Sequence, residues 1–149
     1  MTTTAHASCI AIGDHAILIQ GPSGGGKSDL ALRMVDEGAV LVSDDYVALE
    51  DVDGTVVAAP PPNIEGLLEV RGLGLLTLPF ATKLPVILVV DLVDREDVPR
   101  LPNPDESNIE LLPGIEVPLL RLSPFDASTP AKLRLAARAL LDGIMRTSL

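Results

Sequence analysis

Aromatic residues are almost missing from this chain, which has no Trp, one Tyr and two Phe among its 149 residues. The core must therefore be packed from Val, Leu, Ile and Ala, and a core of that kind is not expected to carry an aromatic platform for stacking bases. Cysteine is reduced to Cys9, which excludes an internal disulfide and a cysteine-rich zinc site. A lone cysteine of this kind is expected to be a small buried residue, not a nucleophile. Basic residues are scarce as well: 11 Lys and Arg stand against 21 Asp and Glu, a formal net charge of −10. That balance argues against general binding to nucleic acid or to an anionic membrane. The longest apolar run, Val86 to Val90, is far too short to cross a bilayer. The N-terminus, MTTTAHASC, lacks the basic region and apolar stretch of a signal peptide, so a cytoplasmic protein is the default. The length fits one domain, residues 1–149.

Against these absences stands one glycine-rich stretch, Gly21-Pro22-Ser23-Gly24-Gly25-Gly26-Lys27-Ser28. It fits G-x-x-x-x-G-K-[ST], a spacing in which successive backbone N–H groups wrap a phosphate while Lys27 supplies charge and Ser28 an oxygen for Mg²⁺. Its surroundings agree. Ala16 to Gln20 reads as a buried strand, and Leu30, Ala31, Met34 and Val35 form the apolar stripe of a helix over Ser28 to Glu37. The helix N-terminus then turns its unpaired N–H groups toward the anion. A glycine-rich strand-to-helix turn that binds nothing is the bland alternative.

The rest of the chain reads as a mixed α/β fold. Ser8 to Ile12 is a short strand turning at Gly13-Asp14 into the strand before the loop. His6 sits on the incoming end of that hairpin, and spacing alone favours solvent over the phosphate loop. Gly38 ends the first helix. Val40 to Val42 is a second apolar strand that delivers Ser43-Asp44-Asp45 to the loop's side of the sheet, where a Mg²⁺-side acid or a catalytic base is wanted. Two adjacent aspartates in a solvated turn would look the same. Tyr46 to Glu50 and Thr55 to Ala59 flank Asp53-Gly54, a type I′ hairpin signal that makes the sheet mixed. A short helical turn is expected from Asn63 through Leu68, then a tight path at Glu69-Val70-Arg71-Gly72-Leu73-Gly74 that gathers opposite charges. Pro85 to Leu92 is the central strand. Residues 93–114 show no regular pattern, as a functional or disordered loop would. Ile115 to Leu122 returns as a strand. Thr129 is the expected N-cap of a last helix, with Leu133, Ala136, Ala137, Leu140, Leu141 and Ile144 on its packed face and Lys132, Arg134, Arg138 and Arg146 largely elsewhere.

Several of these pieces together resemble the catalytic domain of the HPr kinase/phosphorylase family. The matching stretches are His6 ahead of GPSGGGKS, Gly38 with LVSDD at Leu41 to Asp45, and LEVRGLGLL at Leu68 to Leu76. The resemblance implies a P-loop-containing mixed β-sheet flanked by helices, and a homo-oligomer, hexameric in that family. It implies an ATP- and Mg²⁺-dependent kinase that phosphorylates a serine of an HPr-like phosphocarrier protein and removes it by phosphorolysis. Carried onto this chain, Lys27 holds the β- and γ-phosphates, Ser28 and Glu69 hold the metal, Asp45 is the acid/base and His6 the catalytic histidine. Arg100 in V-P-R-L-P is the candidate for the family's catalytic arginine. Members of that family usually carry a separate N-terminal domain, which this chain, with His6 near its start, is expected to lack. It also reads Ser123-Pro124-Phe125-Asp126-Ala127-Ser128 where the family has an arginine-bearing stretch needed for phosphate removal. Kinase activity is therefore expected more than phosphorylase activity.

Two other readings remain open at the level of sequence. A small-molecule P-loop kinase usually closes an Arg-rich lid, and the long 93–114 segment holds only Arg95 and Arg100. A nucleotide-sensing module without chemistry has no evident need for Lys27, Ser28, Asp45 and Glu69 together. A GTPase is disfavoured because no N-K-x-D stretch occurs.

Overall fold

The computed structural model describes residues 2–143. Eleven strands and two helices follow one another: β1 (Thr2–His6), β2 (Ser8–Ile12), β3 (His15–Gln20), α1 (Lys27–Asp36), β4 (Val40–Ser43), β5 (Tyr46–Val52), β6 (Thr55–Ala59), β7 (Leu67–Val70), β8 (Gly74–Thr77), β9 (Leu84–Leu92), β10 (Asn108–Leu112), β11 (Ile115–Leu122) and α2 (Thr129–Asp142). Nine strands make one sheet in which β1-β5-β6-β9-β3-β2-β4 are neighbours, with β11 on β9 and β10 on β11. The two remaining strands, β7 and β8, form a separate hairpin.

β9 is the axis. Along one edge it runs parallel to β3. β6 meets its first residues antiparallel, at Leu84 and Pro85, and β11 joins its last residues in parallel, at Val89 to Leu92. β2 is antiparallel to both β3 and β4, so β4 points the same way as β3. The carboxyl ends of β3, β4, β9 and β11 thus share one side of the sheet, the side on which open α/β sheets build their sites.

Strand alternation divides the core. Ile17 and Ile19 of β3 pack with Leu30 and Met34 of α1 and with Leu133 and Ala137 of α2, all fully or almost fully buried. Ala16 and Leu18, the residues between, pack with Val47, Leu49, Val56 and Val117 from the strands that curl over the opposite face. Both helices therefore belong to one face, and the sheet itself closes the other. A third, small core joins Leu41 of β4 to Leu68 and Val70 of the hairpin, backed by Leu32 and Val35 of α1.

Local signals placed several elements correctly. Asp53 and Gly54 both adopt positive φ, 53° and 86°, as a type I′ turn requires. Gly38 stops α1 at φ 109°. Other expectations are corrected. No helical turn spans Asn63 to Leu68, because Asn63 and Gly66 take φ of 77° and 74° and Leu67–Val70 is a strand. β1 was not foreseen, nor was β10, which occupies the end of the supposedly patternless 93–114 segment; short 3₁₀ turns at Arg95–Asp97 and Pro104–Glu106 precede it. Ser128 flanks α2, while the Thr129 hydroxyl donates to the Ser123 carbonyl at 2.6 Å and so braces the incoming loop instead of capping. Leu141 is half exposed, not packed, and Ile144 and Arg146 lie outside the described residues.

Candidate functional site

The Gly21–Ser28 loop leaves β3 and enters α1 as the spacing requires. Gly24 and Gly26 take φ of 74° and 98°, a region from which side chains are largely barred. Gly21 has a second reason to be glycine, since a Cβ there would lie 3.1 Å from that of Leu92 at the end of β9. Lys27, the first residue of α1, is buried, and its Nζ donates to the carbonyls of Gly21 and Pro22 at 2.9 and 3.0 Å. The ammonium is held across the mouth of its own loop. The Gly25 N–H donates to the Pro22 carbonyl and tightens the turn.

β4 brings the acidic pair to the same end. Asp44 is buried, and its Oδ1 accepts hydrogen bonds from Ser28 Oγ and Ser8 Oγ, both at 2.8 Å. Ser8 had no assigned part in the sequence reading. Its only signal there is a hydroxyl at the start of an otherwise apolar strand. Asp45 points into solvent from a left-handed backbone, φ 70°, uncommon for a residue with a side chain. The turn is pinned by Tyr46 N–H donating to the Asp44 carbonyl and Ala7 N–H donating to that of Asp45.

His6 arrives from the other direction. The antiparallel register of β1 on β5 sets His6 opposite Tyr46, with ring centroids 5.1 Å apart. Its Nε2 lies 3.0 Å from Asp45 Oδ1. An ionised carboxylate only accepts, so Nε2–H is the donor while Asp45 is charged. Spacing alone pointed His6 to solvent; the structure sets it, part exposed, beside Asp45.

These groups line one cleft of about 570 Å³. Ser23, Gly24, Gly26, Lys27 and Ser28 form its floor, and His6, Asp44 and Asp45 one wall. Glu69 and Arg71, exposed on the β7–β8 hairpin, enter from above. Phe125, from the connection between β11 and α2, closes the remaining side. Arg71 and Phe125 were missed as site residues. Arg100 is not among the lining residues. It lies exposed between the two 3₁₀ turns, and Arg71 is the arginine that faces the cleft.

The donor set suits a hard divalent cation: one hydroxyl and the carboxylates of Asp44 and Glu69 face the loop, with no sulfur nearby. Among the described residues no three or more His, Cys, Asp or Glu converge as a ready-made cage. Mg²⁺ does not require such a cage, since it takes one or two protein oxygens and completes its shell with phosphates and water. Cys9 stands apart. It is fully buried, and burial pushes its thiol well above the ordinary range, as expected of an inert core residue.

Comparison with known proteins agrees with this fold. Residues 1–119 match the family described as HPr Serine kinase C-terminal domain. The chain is 42% identical to an HPr kinase/phosphorylase of Clostridium beijerinckii over 74 residues, which is 50% of this chain and 24% of that protein. It is 39% identical to the HPr kinase/phosphorylase of Geobacillus kaustophilus over 99 residues, 61% of this chain and 32% of that one. The chain thus spans about a quarter to a third of the length of such relatives. Among solved structures, the Hpr(Ser) kinase/phosphatase from Coxiella burnetii superposes with a TM-score of 0.79 at 26% identity, covering 95% of this chain and 93% of the other.

Proposed function

The chain belongs to the HPr Serine kinase C-terminal domain family, and from that premise we propose that it is an ATP- and Mg²⁺-dependent protein kinase acting on a serine of an HPr-like phosphocarrier protein. The observation that carries the proposal is the contact of His6 with Asp45 at 3.0 Å, facing a phosphate loop across the same cleft. A loop alone binds nucleotide; a carboxylate beside it, exposed and oriented, is what a protein hydroxyl needs.

Transfer of a phosphoryl group demands alignment and charge neutralisation with little covalent work by the protein. The N–H groups of Gly24 to Ser28 and the Lys27 ammonium cradle the phosphates. Lys27 exchanges its two carbonyl partners for phosphate oxygens, and their spacing keeps it at the loop mouth until then. Asp44, by accepting the hydrogen bond that the Ser28 hydroxyl donates, turns the Ser28 lone pairs outward, and Glu69 faces the same cleft from the hairpin. Ser28 and Glu69 would hold Mg²⁺, which would supply positive charge against the phosphates. Asp45 takes the proton from the substrate serine as its oxygen bonds to the γ-phosphorus and the bond to the β-phosphate oxygen breaks. His6 orients that carboxylate. Arg71 adds the cation that the family pattern had suggested for Arg100. The segment Ser123–Ser128 contains no arginine, so phosphorolysis is assigned a minor role.

Incubation with Mg-ATP labelled at the γ-phosphate, offering HPr-like proteins and small hydroxylated metabolites in parallel, tests this reading. Label mapped by mass to a carrier serine is the expected result. Label on a metabolite favours a small-molecule kinase, and binding with no transfer favours a sensor. A homo-oligomer is proposed from the family resemblance, and light scattering of the purified protein decides it.

A further inference from the structure

Phe125 is one of only two phenylalanines, in a chain with one tyrosine and no tryptophan. It is 71% exposed, though an apolar ring of this size is ordinarily a core residue. Its neighbours are not loose. Pro124 before it is buried and Asp126 after it half-buried. Arg33 of α1 donates to the carbonyls of both, those of Pro124 and Asp126, the latter at 3.4 Å. Asp29, one turn earlier, holds Arg33 Nε at 3.0 Å. The carbonyl of Ser123 is held by Thr129, and the Asp126 carboxylate lies 3.5 Å from Arg95. The backbone on either side of the ring is thus tied to the helix that carries the phosphate loop.

The ring's place is set as closely. A Cβ on Gly26 would lie 2.8 Å from Pro124 Cβ and 3.2 and 3.3 Å from Cε1 and Cζ of Phe125. One edge of the ring therefore rests on the loop, on the residue before Lys27. The segment follows β11, whose carboxyl end lies two strands from that of β3 on the same side of the sheet. In open α/β sheets ligands bind in the crevice outside the carboxyl ends of the strands, so the connection leaving β11 borders the space beside the phosphate loop.

We propose that Phe125 is the stacking platform for the base of the nucleotide, a subsite built from a single rigidly held ring at the rim of the phosphate loop. This rests on the nucleotide-binding reading above and adds the contact made by the nucleoside half. It also amends the expectation drawn from scarce aromatics: the core carries no platform, but the cleft wall needs only one ring. Stacking reads a flat π-face and not a pattern of donors and acceptors, so the platform holds adenine and guanine alike.

The absence of tryptophan supplies the probe. Phe125→Trp places a lone indole in the protein, and Phe125→Ala removes the platform. Binding of Mg-ATP, Mg-GTP and inorganic triphosphate is measured by calorimetry on the wild type and both variants, with fluorescence on Phe125→Trp. Phe125→Ala is expected to weaken both nucleotides by on the order of tenfold while triphosphate affinity holds. Phe125→Trp retains nucleotide affinity, and its emission is quenched by nucleotide but not by triphosphate. Equal loss for nucleotide and triphosphate in Phe125→Ala would show that the ring only braces the loop, and overturns the proposal. So does unchanged nucleotide affinity in that variant. If wild-type protein binds neither nucleotide nor triphosphate, the kinase reading itself fails and takes the platform with it.

Discussion

Asp45 sets an exposed side chain, 64% open to solvent, on a left-handed backbone at φ 70°. A residue with a Cβ in that region is strained, and glycine there relieves the strain. The two roles can therefore be separated by one substitution. Asp45→Gly is expected to leave the thermal midpoint equal to or above that of the wild type while phosphoryl transfer falls by on the order of 10²–10⁴, the contribution of a well-placed base. Nucleotide binding measured by calorimetry should survive. A stable variant with near wild-type transfer would remove Asp45 from the mechanism. Cys9 makes the opposite case, a reactive group type rendered inert by its place. The folded state keeps the Cys9 proton above the pH at which an unfolded chain loses it. The unfolded state then binds fewer protons, so stability is whole below the ordinary thiol range and declines as pH rises beyond it. Alkylation by iodoacetamide at mildly alkaline pH should accordingly be negligible in native protein and rapid in denaturant, as read by intact mass. Fast native labelling would contradict the burial of β2.

Among the elements, the β7–β8 hairpin is the one on which the site most depends and the sheet least. It is outside the nine-stranded sheet and is joined to the body mainly through Leu41, Leu68 and Val70. Leu68 is fully buried. Leu68→Ala is expected to cost about 2–5 kcal/mol, the usual range for truncating a buried leucine. Glu69 and Arg71 flank this anchor, so transfer should fall further than nucleotide affinity. Unaltered stability in denaturant titration would mean that the hairpin is docked by something other than this small core. Read as sequence, the stretch gave up its charges but not its shape, because left-handed residues at Asn63 and Gly66 break a pattern that locally resembles a helical turn. The contrast with other elements is physical. The phosphate loop, the Asp53-Gly54 turn and the stop at Gly38 are decided by neighbours in sequence, and each was legible. β1 is a polar, mostly exposed strand, TTTAH, whose place is set by pairing with β5 some forty residues away. Nothing local announces it, and the approach of His6 to Asp45 follows from that register alone. β10 is concealed in the same way by its bulged pairing with β11. Phe125 was visible as a residue, but its position against Gly26 depends on Arg33 reaching a segment about ninety residues away.

At the scale of the whole molecule, charge is the dominant remaining feature. The formal charge is −10. Among the described residues the ion pairs made by arginine engage only Asp29, Glu37, Glu106 and Asp126 of the 21 acidic side chains. The net negative charge is therefore largely unbalanced by local pairing among the described residues. Such repulsion opposes the compact state and is long-ranged at low ionic strength. It fades as the screening length contracts from roughly 20–30 Å in dilute buffer to under about 8 Å above physiological salt. The few ion pairs are partly exposed and contribute little that salt could remove. Raising NaCl from about 0.01 M to about 0.3 M should thus raise the thermal midpoint, by roughly 2–5 °C for a domain of this size if relief of repulsion approaches 1 kcal/mol. KCl at equal concentration should act alike, since the cause is screening and not a specific ion. A midpoint that falls with salt would mean that attractive pairs outweigh the excess of negative charge. In that case the surface carries a charge order that the sum of its residues conceals.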